Sequence, residues 1–440
     1  MTDYADLTNL ADILKNVYGE GITNQFADEK VTYNQFPKSD RKPGGKGYVF
    51  GIRYARSQSV GARAESVYLP DPFTGTKDQG TITPKYIYGS IRLTGPGIEA
   101  AKANTMAFVD GLADEMDDIY QSIIVDLNRQ CHGDGFGLLA TLSSAAAAVT
   151  TATWIATCDN DTGVMYVQEG MVLDVYNAAG TAIMTTCAAH RVSAVFPATK
   201  IVKFERDTTG LTWKAHHPIS TIRGTANRDS TVVTLSLLVK MGARLATHST
   251  TDTQYEICGL DGLFDDGTLL ASFEGITVAS YPKWAANVID NSAVNRELSI
   301  DLMLNALDVT RERSGKSVKI IRMGLGQRRK YANLLLPDVR YAPMQLRGGY
   351  EVLTFSGGDG SVEILVDPLT QKNKMYFDPG DVIKKYELTP LGWGNLDGNQ
   401  MHRNAGYDEW DLFLRIYTQL GVEMRNCLTV LDDLVEPTVY

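Results

Sequence analysis

GIEAAKANTMAFVDGLADEMDDIYQSIIVDLNR spans Gly97 to Arg129. Its apolar residues fall at Ile98, Ala101, Phe108, Leu112, Met116, Ile119, Ile123 and Leu127, with Thr105 filling the one missing turn. Steps of three and four define one stripe on a helix. At a rise of 1.5 Å per residue, that helix is about 50 Å long. Gly95-Pro96 opens it, because a first turn does not need the donor that proline lacks. Gly133 and Gly135 close it. Asp110, Asp114, Glu115, Asp117, Asp118 and Asp126 occupy the opposite face. The same spacing also suits an ordinary amphipathic core helix, so the preceding segment matters.

That segment, Gly47 to Thr94, reads as a long two-stranded arm. The outgoing strand places Tyr48, Phe50, Ile52 and Tyr54 on one face. The returning strand places Ile87, Ile91 and Leu93 on one face and Tyr86, Tyr88 and Arg92 on the other. Gly61, Pro70, Pro72, Gly75 and Gly80 mark the tip between them. A lone hairpin is marginal in water. An arm of this length feeding a long helix is suited to reaching a neighbouring molecule; the alternative is a hairpin that joins a larger sheet of its own chain. Arg53, Arg56, Arg63, Asp71, Lys77, Asp78 and Lys85 are the candidate inter-subunit contacts along it. Each is worth about 1 kcal/mol or less if exposed.

The chain has 440 residues, enough for a large core and two or three domains. Hydrophobic residues make up 44% and charged residues 21%, an ordinary globular balance. A net charge of -10 argues against a dedicated nucleic-acid grip, which would show a basic domain or stripe. Met1 to Asn16 lacks the basic flank and apolar core of a signal peptide. No apolar run approaches the ~20 residues that span a bilayer, so no membrane contact is expected. The 5 cysteines are odd in number and scattered, at Cys131, Cys158, Cys187, Cys258 and Cys427. They indicate neither a disulfide framework nor a zinc knuckle, and fit folding in a reduced cytoplasm.

Leu7 to Val17 reads as a short helix, and Pro37 to Lys46 as a basic, turn-rich linker. After the long helix, the stretch from Trp154 to Val239 breaks into short strands between turn clusters such as Asp159-Asn160-Asp161-Thr162-Gly163 and Asn177-Ala178-Ala179-Gly180. This suggests a small β-barrel inserted into a larger domain. Further on, Leu298–Arg313 and Gly326–Leu336 read as helices. Val318–Met323 reads as a buried strand, and Tyr350–Thr354 with Val362–Val366 as a hairpin. Trp410–Gly421 and Met424–Val430 are closing strand-like segments. Helices flanking a sheet make the fold class α+β.

No motif carries catalysis or cofactor binding. Ser314-Gly315-Lys316-Ser317 contains the end of a phosphate-binding loop, but Thr310 stands where that motif needs glycine. A helix precedes it and a strand follows, the reverse of the required order, so Gly315 reads as a helix C-cap. Asp159 to Gly163 resembles a calcium loop, but Gly170 stands at the twelfth position, where an acid is required. His216-His217 has no carboxylate or cysteine at metal spacing. No catalytic residue, cofactor or metal is expected, and the chain reads as a non-enzyme.

The order of parts resembles that of the major capsid proteins of tailed bacteriophages, which have the Hong Kong 97-type fold. The phrases Ile98-Glu99-Ala100-Ala101 through Asn128 to Gly133-Asp134-Gly135 and Gly259-Leu260-Asp261-Gly262-Leu263 resemble that family. So do Tyr281-Pro282-Lys283-Trp284, Arg347-Gly348-Gly349-Tyr350, Gly392-Trp393 and Gly406-Tyr407-Asp408. The resemblance implies an N-terminal arm at 1–46, an extended hairpin loop at 47–95 and a peripheral domain at 96–149 carrying a spine helix. It further implies a β-barrel-like insertion at 150–240, an axial domain at 241–392 and peripheral return strands at 393–440. The function it implies is self-assembly, as pentamers and hexamers, into an icosahedral head around double-stranded DNA that is contacted non-specifically. The implied location is the virion, after synthesis in the host cytoplasm. The short segment before the arm implies a separate scaffolding protein, and a portal and a decoration protein are further expected partners. An encapsulin-like cargo shell of the same fold, and a soluble hydrolase with a β-domain, are the alternatives.

Overall fold

The structure, a computed structural model, describes residues 31–41, 47–96, 105–143, 147–148, 153–159, 163–176, 190–206, 236–243, 254–335, 354–356, 360–395, 401–403 and 406–436. The order begins α1 (Val31–Gln35), β1 (Tyr48–Arg53), β2 (Lys77–Ile82), β3 (Lys85–Thr94) and α2 (Thr105–Gln130). Short strands follow: β4 (Leu138–Thr141), β5 (Ala147–Ala148), β6 (Thr153–Thr157), β7 (Val172–Tyr176), β8 (His190–Phe196), β9 (Ile201–Arg206) and β10 (Leu237–Lys240). Next come α3 (Leu260–Leu263), β11 (Ser272–Phe273), β12 (Ile276–Thr277), β13 (Asn287–Ile289), α4 (Ile300–Ser314), β14 (Ile320–Met323) and α5 (Leu325–Leu335). The chain closes with β15 (Thr354–Ser356), β16 (Ser361–Val366), β17 (Met375–Asp378), β18 (Ile383–Trp393), β19 (His402–Arg403), β20 (Glu409–Val422) and β21 (Thr429–Leu431). The architecture is mixed α+β, with several separate sheets. The expected Leu7–Val17 helix, the first turns of the long helix and His216-His217 lie outside the described residues.

One expected pairing is corrected. β1 pairs not with the strand at 85–94 but with β2, from Tyr48 opposite Ile82 to Arg53 opposite Lys77. β3 instead runs antiparallel to β20, from Lys85 opposite Thr418 to Thr94 opposite Glu409. The period-two pattern had assigned its faces correctly: Ile91 is buried, and Tyr86 and Tyr88 are exposed. An alternating strand records which face is buried but not which strand lies beside it.

The buried face of β3 carries α2. Gly89 makes the contact possible, since a Cβ there would lie 2.7 Å from Ile123 Cδ1. Ile123 and Leu127 enter the main core with Phe50, Ile82, Leu414 and Ile416. The last turn of α2 is buried all round. Asp126, expected on the solvent face, is instead paired with Arg129 at 3.0 Å and Lys240 at 2.8 Å. Arg129 also pairs with Glu256, and Gln130 Oε1 accepts from the Ile257 amide at 3.1 Å.

Two further large cores lie among the described residues. β13-β21-β17-β14-β16-β15 form a six-stranded mixed sheet. Met303, Ala306 and Tyr331 from α4 and α5 pack with its residues Ile321, Met323, Ile364 and Phe377. Ser299 caps α4 by accepting from the Leu302 amide, and Gly315 ends it at φ 73. The Gly-Lys-Ser sequence is therefore a helix terminus leading into a strand, as its order predicts. The segment after α2 forms a seven-stranded antiparallel sheet, β4-β10-β7-β8-β9-β6-β5, over its own core of Leu139, Leu173, Val175, Val192, Val202 and Leu238.

α1 is fastened to this body by Asp367. Its Oδ2 accepts from the Thr32 amide at 3.1 Å, the Thr32 hydroxyl at 2.6 Å and Asn128 Nδ2 at 3.2 Å. His132 Nε2 lies 3.3 Å away. These partners outweigh burial and hold the Asp367 carboxyl well below its ordinary range. A depressed carboxylate contributes stability above its ordinary value of 3.8 and loses that contribution as pH falls. Asp367→Asn is therefore expected to cost about 2–3 kcal/mol at neutral pH. Denaturant titrations of dissociated subunits should show that difference shrinking toward pH 3.

Candidate assembly surface

The arm that leaves the body between β1 and β2 begins in an aromatic root. Phe50 is buried, and its ring centroid lies 6.0 Å from that of Trp284. Tyr48 stacks on Tyr386 at 5.3 Å, and Tyr54 meets Tyr281 edge-on at 5.0 Å. Beyond the ladder, residues 54–76 carry neither helix nor strand. Side-chain bonds to backbone replace a ladder there: Ser59 Oγ donates to the Phe73 carbonyl at 2.9 Å and accepts from its amide.

The outer part of the arm is apolar and uncovered. Val60 is 89% exposed, Tyr68 93% and Leu69 84%, with Phe73 and Val67 also exposed. Leaving several large apolar side chains on one short projection forfeits about 1.5–3 kcal/mol each relative to full burial. Exposed apolar side chains gathered on one segment in this way mark a candidate interaction surface.

The charged residues expected to make contacts do not form one set. Arg56, Arg63 and Asp71 are exposed along residues 54–76. Arg53 and Lys77 stand opposite each other at the outer end of the ladder, both exposed. Two like charges directly opposite are unfavourable unless an anion lies nearby. Asp78 faces the Tyr281 hydroxyl. Lys85 turns inward: its ammonium donates to the Gln254 carbonyl of its own chain, and burial lowers its pKa. Within the subunit, Lys85 is thus tied to the body, unlike the exposed charges of the arm.

That reading also passed over the apolar residues. Val67-Tyr68-Leu69 was the available signal, a hydrophobic run inside a Gly/Pro-rich tip where a solvated turn would be polar.

A second exposed face lies on the sheet opposite α2. Tyr417 packs edge-on against Tyr86 at 4.9 Å and Tyr88 at 5.8 Å. Arg415 lies 5.8 Å from the Tyr417 ring centre. Among the described residues there is no cluster of His, Cys, Asp or Glu able to hold a metal ion. Nor is any helix among them long and apolar enough to cross a membrane. One cleft, of about 410 Å³, is lined by Asp261, Asp265, Asp290, Asp432 and Lys374 among others. Its carboxylates are already engaged: Lys374 bonds Asp261 at 2.6 Å, and Asp265 accepts from the amides of Gly267, Leu269 and Leu270.

A projecting hairpin, a helix laid on a long strand pair, a mixed sheet with two helices and a separate antiparallel sheet are the frame on which this chain compares with known structures. The chain superposes on one from the cyanophage A-1(L) capsid asymmetric unit with a TM-score of 0.57 at 13% identity, covering 96% of this chain and 98% of that one. A chain from the capsid of the native GTA particle aligns more loosely, at TM-score 0.47 and 7% identity over 99% of this chain and 100% of that one. The capsid of Myoviridae phage XM1 gives 0.45 and 9% over 97% and 98%. No protein-family profile matches the sequence, and no curated protein matches it.

Phe50 joins the arm to the body, so Phe50→Ala is expected to cost about 3–5 kcal/mol. Chemical denaturation followed by tryptophan fluorescence would check this through neighbouring Trp284.

Proposed function

We propose that this chain is the major capsid protein of a tailed bacteriophage, a structural subunit that assembles with its own copies into the icosahedral shell around the genome. The observation that carries the reading is the arm: a rigid aromatic root ending in exposed Val60, Tyr68, Leu69 and Phe73. A single subunit has no use for that surface, whereas a shell covers it on every copy. The full-length match to a capsid chain supports the same reading. Many modest contacts suffice, because each subunit is held by several neighbours at once.

In this reading residues 47–95 are the extended loop, and α2 with the return strand β20 forms the peripheral domain, whereas β21, expected among the peripheral return strands, pairs with β13 and β17 in the six-stranded sheet. The six-stranded sheet with α4 and α5 belongs to the axial domain, whose tip surrounds the five- and six-fold centres. The strands at 150–240 are the inserted barrel. An isolated bridge from Leu142 to Cys158 brings the end of β4 to the end of β6 and supports closure of that sheet. Arg53, Arg56, Arg63, Asp71, Lys77 and Asp78 are rim contacts around the apolar tip. A scaffolding protein, a portal and weakly held DNA are the partners this reading implies, with a decoration protein as a further candidate.

The double substitution Tyr68→Asp, Leu69→Asp separates folding from assembly. The melting temperature of the dissociated subunit is expected to stay within about 2 °C, since both side chains are already in solvent. Electron microscopy is expected to show closed shells from the parent chain and only subunits or small rings from the variant. Normal shells from the variant would refute the role given to the arm. Nucleic acid in native particles would distinguish a genome container from a cargo shell.

A further inference from the structure

At the base of the arm, a short hairpin touches both the arm and the body. β11 and β12 pair as Ser272 with Thr277 and Phe273 with Ile276, joined by Glu274-Gly275. Both turn residues have positive φ, 51° and 83°. Glycine accepts this freely; a glutamate there costs roughly 1–2 kcal/mol. The strained residue makes the two connections. Its carbonyl accepts from the Thr81 amide of β2 at 2.7 Å. Its carboxyl Oε1 accepts from the Val422 amide, at the end of β20, at 3.0 Å. The other carboxyl oxygen, Oε2, is buried without a hydrogen-bond partner.

Among the described residues, no cation forms an ion pair with the Glu274 carboxyl, and one of its oxygens is buried without a partner. Arg425 acts on that carboxyl only through space: its Nε and Nη2 donate to the carbonyls of Leu263 and Gly262, its Nη2 lies 3.6 Å from Asp265 Oδ2, its Nη1 is buried without a partner, and its guanidinium lies 4.6 Å from the Phe273 ring centre. Glu423 adds like charge, and it already accepts from Tyr48 and Tyr386. Cys258 is the remaining titratable neighbour. β2 approaches through Gly80, Thr81 and Ile82, which carry no charge.

We propose that Glu274 is a proton-operated latch: protonated, it clasps the arm hairpin to the body, and opening of the root releases its proton to solvent. The inference goes beyond the shell reading, because it concerns the root within one subunit. Burial raises the Glu274 pKa from 4.5 to about 8, and the Val422 amide and Arg425 only partly offset that rise. A group with a raised folded-state pKa stabilises the closed root fully below 4.5 and loses that contribution as pH rises to about 8. Opening should therefore become roughly tenfold easier per pH unit between those values and level off above the upper one.

Hydrogen exchange read by mass spectrometry on full-length dissociated subunits tests this. Rates are corrected for the intrinsic pH dependence of exchange and followed from pH 5.5 to 9 in peptides containing Thr81 and Val422. The expected result is that protection of both falls about tenfold per pH unit up to pH 8 and then stays flat. Glu274→Gln keeps an oxygen to accept from Val422 and cannot titrate, so its protection should not change with pH. Two results would overturn the latch: protection in the parent chain that is independent of pH, or an equal loss in Glu274→Gln. Circular dichroism of the variant at each pH establishes that its fold is retained.

Discussion

The ladder between Lys85–Thr94 and Glu409–Thr418 is the constraint on which the rest of the structure depends. It joins two segments more than three hundred residues apart, and closing so long a loop is entropically costly before any contact compensates. A continuous run of paired residues, with α2 packed on one face through the gap at Gly89, supplies that compensation. The partner strand β18 lies on the other edge of β20. The end of β20 at Val422 then reaches Glu274, so the same strand orders both the spine and the arm's root.

From that frame follows a division of labour. Two polar side chains buried in the body tie distant segments together: Asp367 gathers α1, α2 and the loop at Leu369, and Arg425 holds two carbonyls in the core. The arm is the opposite case. Its root is packed by rings, while its outer half leaves large apolar side chains in solvent and relies on serine hydroxyls to keep its two branches together. Glu274 sits at the boundary between the two regimes, where the packed body meets the arm.

How far the sequence could be read varied with the range of the interaction concerned. The spine helix was legible because its stripe is local and continuous, and Gly315 was legible as a cap because helix and strand patterns flank it. The faces of β1 and β3 followed from alternation. Their partners did not: Tyr48–Arg53 pairs with Lys77–Ile82, a less hydrophobic stretch than the one chosen. Lys85 read as an exposed contact because lysine usually is one. Only the fold brought the Gln254 carbonyl within its reach.

The sequence by itself determined the α+β class, the long amphipathic helix, the turn-punctuated strand region after it and the presence of an outreaching segment. Each rests on periodicity or on turn residues within a few positions of one another. Tertiary structure alone decided that β3 belongs to β20, that Asp126 and Lys85 face inward, that Tyr68 and Leu69 are left bare, and that the carboxyl of Glu274 is buried. Those outcomes depend on which distant surfaces meet and exclude water, and a linear pattern carries no record of that.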